Sequence, residues 1–212
     1  MSELLQELSQ AVIAGDREAC TELTEDLLDD GLYAQQILNE GLMPGMEYVG
    51  REFRAGAMFV PEVLRSARAM QASMDTLKPL LVASGVPMMG KVLLGTVHGD
   101  MHDIGKNLVG MMCEGAGFEV IDLGKNATPD DFVRAVQETK PDVVGMSALL
   151  TTTMRAMERT IDAFKVAGIR EQVKVMVGGA PVTKEFAIKI GADGYANNAA
   201  SAVDLAKSFV VE

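Results

Sequence analysis

The spacing of apolar residues changes once along the chain. Up to about residue 84 it is helical. Leu4, Leu5, Leu8 and Val12 fall on one helical face, and Gly15-Asp16 breaks the run, with Asp16 placed to cap the next helix. Cys20, Leu23, Leu27 and Leu28 mark a second helix that ends near Gly31. A third helical region covers Ala34 to Phe53, and Pro44 predicts an interruption or kink within it. Gly56 ends that region, and Pro61 suits the first turn of a fourth helix reaching about Leu81. Four helices joined by short turns predict a small antiparallel bundle over residues 1–84.

Ser84-Gly85-Val86-Pro87 reads as a linker, extending over 85–90, and the period then alternates. Short apolar strands are predicted at Val92–Val97, Glu119–Leu123, Val143–Ser147, Val173–Val177 and Gly194–Ala196. Amphipathic helices fall between and after them, at Ile104–Glu114, Asp130–Thr139, Met154–Val166, Lys184–Ile190 and Ala202–Val210. Strictly alternating βα units predict an α/β domain over 91–212: a five-stranded parallel sheet, helices on both faces, in the flavodoxin-like order 2-1-3-4-5.

Composition narrows the classes. The chain is 48% hydrophobic, enough for a filled core, and its net charge of −11 opposes nucleic acid and anionic membrane surfaces. Cys20 and Cys113 lie far apart with no CxxC spacing and read as buried small hydrophobes in a reduced compartment. The longest apolar run, Pro79–Val97, is broken by Gly85, Pro87, Gly90 and Lys91, which argues against a membrane span. The acidic amphipathic start does not resemble a secretory signal, so a cytoplasmic location is expected.

In an open parallel sheet, ligands bind beyond the carboxyl ends of the strands. The residues leaving the first, third and fourth strands are the unusual ones: His98-Gly99-Asp100-Met101-His102-Asp103-Ile104-Gly105, Ser147 through Thr153, and Gly178-Gly179-Ala180-Pro181. A loop histidine two residues from an aspartate suits a ligand or base whose second nitrogen a carboxylate holds, and equally a surface hydrogen-bonded pair or a helix cap. Gly178-Gly179 lets a backbone approach a bulky ligand, or marks a phosphate-binding turn. Neither GxGxxG nor GxxxxGK[ST] is present. The fifteen methionines are mostly core filler, although Met43, Met46, Met58 and Met70 suit a cavity wall.

Asp100-x-His102-x-x-Gly105, then Ser147-x-Leu149, then Gly178-Gly179, resembles the signature of cobalamin-binding modules. The helical half, from Phe53-Arg54-Ala55-Gly56 through Pro61-Glu62-Val63 to Met70, resembles the cap of cobalamin-dependent methionine synthase. It is similar, too, to the free-standing corrinoid proteins of methanol-, methylamine- and betaine-type methyltransferase systems. The likeness covers essentially the whole chain. A bundle placed before the module is the methyl-carrier arrangement rather than that of the radical mutases.

The resemblance implies a cobalamin or related corrinoid bound base-off, with His102 as the axial ligand to cobalt in place of the cofactor's own base. It implies a His102–Asp100–Thr153 relay, with a threonine where methionine synthase has serine. It further implies cofactor contacts from Gly99, Met101, Asp103, Ile104, Gly105, Ser147, Leu149, Thr151, Gly178, Gly179 and Tyr195. Phe53, Val60 and Val63 correspond to cap residues over the methyl face, Val60 replacing a leucine. The implied function is a methyl carrier, loaded by a substrate:corrinoid methyltransferase and unloaded by a second methyltransferase to a tetrahydrofolate or thiol, with a reductive activation protein as a further partner. A barrel able to hold the methyl donor needs ~250 residues, so the chain reads as a subunit of a multi-component methyltransferase rather than a stand-alone enzyme. The other readings are a non-catalytic corrinoid sensor or storage protein and a generic flavin- or nucleotide-binding module.

Overall fold

The computed structural model describes residues 3–84 and 88–210. Two compact units divide the chain, Met1–Met88 with Glu114–Gly117 and Met89–Cys113 with Phe118–Glu212. Of the predicted linker, Gly85-Val86-Pro87 lies outside the described residues.

The first unit is helical: α1 (Glu3–Ala14), α2 (Arg17–Asp29), a short α3 (Ala34–Gln36), a π-turn (Ile37–Leu42), α4 (Met43–Ala55) and α5 (Val60–Ser84). The predicted apolar stripe of α1 is buried through Leu5, Leu8, Ala11 and Val12. Asp16 caps α2 by accepting from Ala19 N–H. The third helical region does not break at Pro44. It widens one turn earlier, where Met43 N–H reaches back to the Leu38 carbonyl. A proline ring collides with the carbonyl four residues before it in a regular helix, and the wider turn makes room at Glu40 without ending the helix. Gly41 and Gly45 let α1 pack closely there: a Cβ at Gly41 would stand 2.8 Å from Leu8, and one at Gly45 2.7 Å from the Ser9 carbonyl. Gly56 ends α4 at φ 75, and the Glu62 carboxylate accepts from Phe59 N–H at the start of α5.

One polar knot sits inside this bundle. Thr24 and Ser73, both buried, bring their hydroxyls within 2.8 Å of each other and within 2.7 and 3.0 Å of the Cys20 carbonyl. Met46 and Met70 are buried, whereas Met43 and Met58 are half-buried.

The second unit is a five-stranded all-parallel sheet in the order β2-β1-β3-β4-β5, as expected. Its elements are β1 (Lys91–Thr96), α6 (Ile104–Gly115), β2 (Glu119–Asp122), α7 (Pro129–Thr139), β3 (Val143–Ser147), α8 (Met154–Val166), β4 (Lys174–Gly178), α9 (Lys184–Ile190), β5 (Gly194–Ala196) and α10 (Ala199–Val210). Strand alternation splits the side chains. Leu93, Val144, Met146, Val175 and Val177 join Phe132, Met157, Ile161 and Phe164 in a sealed core. Leu94, Gly145 and Met176, aligned across three strands, face the other way. Helix α10 begins three residues before its expected start, because Asn198 and Ser201 cap each other's backbone N–H groups. Among the described residues, no helix is long and apolar enough to cross a membrane.

Burial raises the Cys20 thiol to about 12, Asp16 adds to the rise and a bond with Ser73 partly offsets it. At pH 8 roughly one thiol in ten thousand would then be ionised, and the thiolate is the reactive form. Native protein treated with iodoacetamide at pH 8 should therefore leave Cys20 unmodified by peptide mass mapping, while unfolding in urea exposes it. Rapid native labelling would contradict this account of the bundle core.

Candidate functional site

The loop after β1 carries the motif histidine, and the order β2-β1-β3 sets the loop after β3 beside it. Asp100 has 0% exposure, and both its oxygens are occupied. Oδ1 accepts from His102 N–H (3.0 Å) and from His102 Nδ1 (2.8 Å). Oδ2 accepts from the backbone N–H groups of Leu149 (2.8 Å) and Leu150 (3.2 Å) and from the Thr153 hydroxyl (2.6 Å). Burial by itself pushes this carboxyl upward, but the bonds from Thr153, the His102 and Leu149 amides and the His102 ring outweigh it. The Asp100 carboxyl is held well below the usual carboxylate range.

An ionised carboxylate only accepts, so in a neutral imidazole the proton belongs on His102 Nδ1. Nε2 then keeps its lone pair, on a side chain 51% exposed that lines a cleft of about 530 Å³. Below the histidine, Thr96 Oγ1 lies 3.1 Å from Ser147 Oγ and donates to the His102 carbonyl (3.3 Å).

The cleft opens on the sheet face away from the sealed core. Leu94, Gly145 and Met176 form its floor, Val109 of α6 and Ala199 and Ala202 of α10 its walls. Lys106, also on the wall, is buried and paired with Asp122 at 2.5 Å. At the mouth, Met101 (56% exposed) and Ile104 (69%) stand with Leu149 and Leu150 as uncovered apolar side chains. That rim, over a mostly apolar hollow, suits a bulky flat ligand with an apolar underside.

Most of the predicted contacts meet here: Met101, His102, Asp103, Ile104, Gly105, Ser147, Leu149, Gly178 and Gly179 all line the cleft. Two do not. Tyr195 lies on the opposite side of the sheet, packed against the sealed core, because β5 alternates and Ala196 takes the cleft side. Thr151 is exposed on its loop outside the cleft. Gly99 supports the histidine loop from behind, at φ 85. In the helical unit, Val63 is buried, Phe53 half-buried and Val60 exposed, so the three share no common exposure.

The glycine pair has a packing role within the protein itself. A Cβ at Gly178 would stand 2.8 Å from the Ala196 carbonyl, and one at Gly179 (φ 125) would overlap the Ala148 carbonyl. Both glycines thus make room for the protein's own backbone, at the end of β5 and in the loop after β3. Gly105, by contrast, faces open space. Sequence reasoning missed Gly145, Met176, Asn197, Asn198 and Ala202; the available signal was Gly145 within a strand and the small residues at the start of the last helix.

Among the described residues, no three His, Cys, Asp or Glu side chains gather to hold a bare metal ion. One imidazole with a free nitrogen beside an apolar cleft fits instead a metal that arrives within its own equatorial ring.

Two family models, each described as a B12 binding domain, match residues 90–204 and residues 4–78. Dimethylamine corrinoid protein 1 of Methanosarcina acetivorans is 44% identical over 98% of both chains. A corrinoid protein of Desulfitobacterium hafniense is 42% identical over 98% of this chain and 97% of its own. The crystal structure of a cobalamin-binding protein from D. hafniense superposes with a TM-score of 0.80, at 35% identity over 98% of both chains. A chain of the methanol:cobalamin methyltransferase complex from Methanosarcina barkeri superposes at 0.87, with 30% identity over 99% of this chain and 80% of that one.

Gly179→Ala should destabilise the protein by about 1–3 kcal/mol from backbone strain alone, with the Ala148 overlap adding to it. Urea unfolding monitored by circular dichroism checks this. A midpoint equal to wild type would show that the loop after β3 shifts without cost.

Proposed function

The chain belongs to the B12 binding domain family, and from that premise we propose that it is a corrinoid methyl-carrier protein, with His102 Nε2 as the lower ligand to cobalt. The observation that carries the reading is the half-exposed His102, anchored through Nδ1 to the buried Asp100 at the cleft mouth. When bound, the corrinoid supplies a cobalt that takes up and gives away a methyl group. A substrate-specific methyltransferase loads it and a second methyltransferase unloads it to an acceptor such as a tetrahydrofolate or thiol. A reductive activation protein is the further partner this chemistry calls for.

The protein's own residues bind, orient and balance charge. Asp100 fixes the ring plane and tautomer of His102 and makes Nε2 a stronger donor. Thr153 and the Leu149 and Leu150 amides keep Asp100 ionised, so that its negative charge stays fixed beside the His102 ring. Met101, Ile104 and Leu149 offer the apolar rim on which the ring would rest. The cleft interior between Leu94, Met176 and Ala202 would hold the part of the cofactor displaced from cobalt by His102. Relatives of similar identity are named for dimethylamine and trimethylamine, which supports a division of labour in which the partner enzyme selects the methyl donor.

His102→Ala should weaken corrinoid binding about 10–100-fold and abolish the nitrogen splitting in the cobalt(II) electron paramagnetic resonance spectrum. His98→Ala should leave both unchanged. Splitting that persists in the His102 variant overturns the ligand assignment. Asp100→Asn keeps the shape but loses the fixed acceptor, and should weaken binding while retaining some ligation. An Asp100→Asn variant that binds corrinoid as tightly as wild type would remove the anchoring role.

A further inference from the structure

The side chain of Asp100 is held from the β3 side, but the backbone that carries it is held from the opposite side. The loop after β2 runs alongside the loop after β1. Thr96 N–H donates to the Gly124 carbonyl and Ala127 N–H to the Thr96 carbonyl, each at 2.9 Å. Between them, Asn126 commits two groups to the histidine loop. Its N–H donates to the Asp100 carbonyl at 3.0 Å, and its side-chain Oδ1 accepts from Gly99 N–H at 2.7 Å.

Asn126 does this from a left-handed backbone, φ 59, which asparagine tolerates better than most side chains. Gly99, at φ 85, is the flexible point of the loop. Removing the acceptor would free Gly99 N–H to turn toward water, because Gly99 is exposed. The carboxylate would stay pinned by Leu149, Leu150 and Thr153 while the chain leading from it to His102 could reorient. The 2.8 Å bond between Asp100 Oδ1 and His102 Nδ1 is the contact that such movement loosens.

We propose that Asn126 is a positioning residue for His102. It clamps the Gly99–Asp100 backbone from the β2 side, so that Asp100 stays in register with the ring while Nε2 takes and releases a ligand. The inference rests on the corrinoid reading for its purpose, but the clamp itself is a property of the cofactor-free protein.

Three variants separate the contributions. Asn126→Gly keeps the backbone conformation and its N–H but removes the acceptor. Asn126→Ala removes the acceptor and strains the left-handed position. Asn126→Asp keeps an acceptor. In cofactor-free protein, nitrogen-15 spectra of the imidazole report the His102 tautomer; in loaded protein, corrinoid affinity and cobalt(II) nitrogen splitting report ligation. Wild type and Asn126→Asp should show one Nδ1–H tautomer. The glycine and alanine variants should show mixed tautomers and bind corrinoid about 3–10-fold more weakly, a smaller effect than losing a group bonded to the ligand itself. An Asn126→Gly protein with wild-type tautomer and affinity overturns the clamp, even if its urea midpoint falls. So does an Asn126→Asp protein that loses as much as the glycine variant. If wild type lacks nitrogen splitting while the tautomer responds as stated, the clamp stands and the lower-ligand reading fails.

Discussion

Five donors from two loops converge on the two oxygens of Asp100, and the arrangement of the site follows from satisfying that buried carboxylate. An ionised group without solvent contact persists only when its lone pairs are filled. Filling them demands that the loops after β1 and β3 meet at one point. It also demands that His102 present Nδ1 inward, which leaves Nε2 as the donor toward the cleft. The carboxylate therefore sets the histidine's tautomer and its orientation together. Thr153 preserves this arrangement although threonine is stiffer than serine at its first side-chain torsion, because the hydroxyl already lies at 2.6 Å.

The sheet supplies the second constraint. Alternation along β1, β3 and β4 sends one set of side chains into a sealed core and leaves the other set facing a cleft floored by Leu94, Gly145 and Met176. Close packing on the first face makes the sheet rigid. Gly145 between Leu94 and Met176 on the second face, with Ala199 and Ala202 on α10 opposite it, leaves a hollow that the protein does not fill itself. The glycines at 178 and 179 let the end of β4 lie close against Ala196 of β5 and Ala148 after β3.

The helical unit solves a different problem with local means. Pro44 would collide with a regular helix, and the π-turn before it absorbs the ring while Gly41 and Gly45 admit α1. Thr24 and Ser73 satisfy each other and the Cys20 carbonyl, and the buried Ser66 donates to the Ile13 carbonyl, so these interior hydroxyls are met within the protein.

The sequence by itself determined the elements, the parallel order of the sheet and the Asp100-x-His102 pair, because period, caps and turn residues act over a few positions. It also identified the family, since three motif pieces recur at fixed places. Partners that lie far apart along the chain were decided only by the tertiary structure. Asp100 finds Leu149 and Thr153 only because β3 lies next to β1, and Asn126 finds Gly99 only because β2 lies on the other side. A one-residue phase in β5 turned Tyr195 into the core and Ala196 toward the cleft, a choice that a three-residue strand is too short to announce. Gly178 and Gly179 stood out in the sequence, but the reason for them did not: the atoms they make room for are the carbonyls of Ala196 and Ala148, on strands and loops that only folding brings alongside.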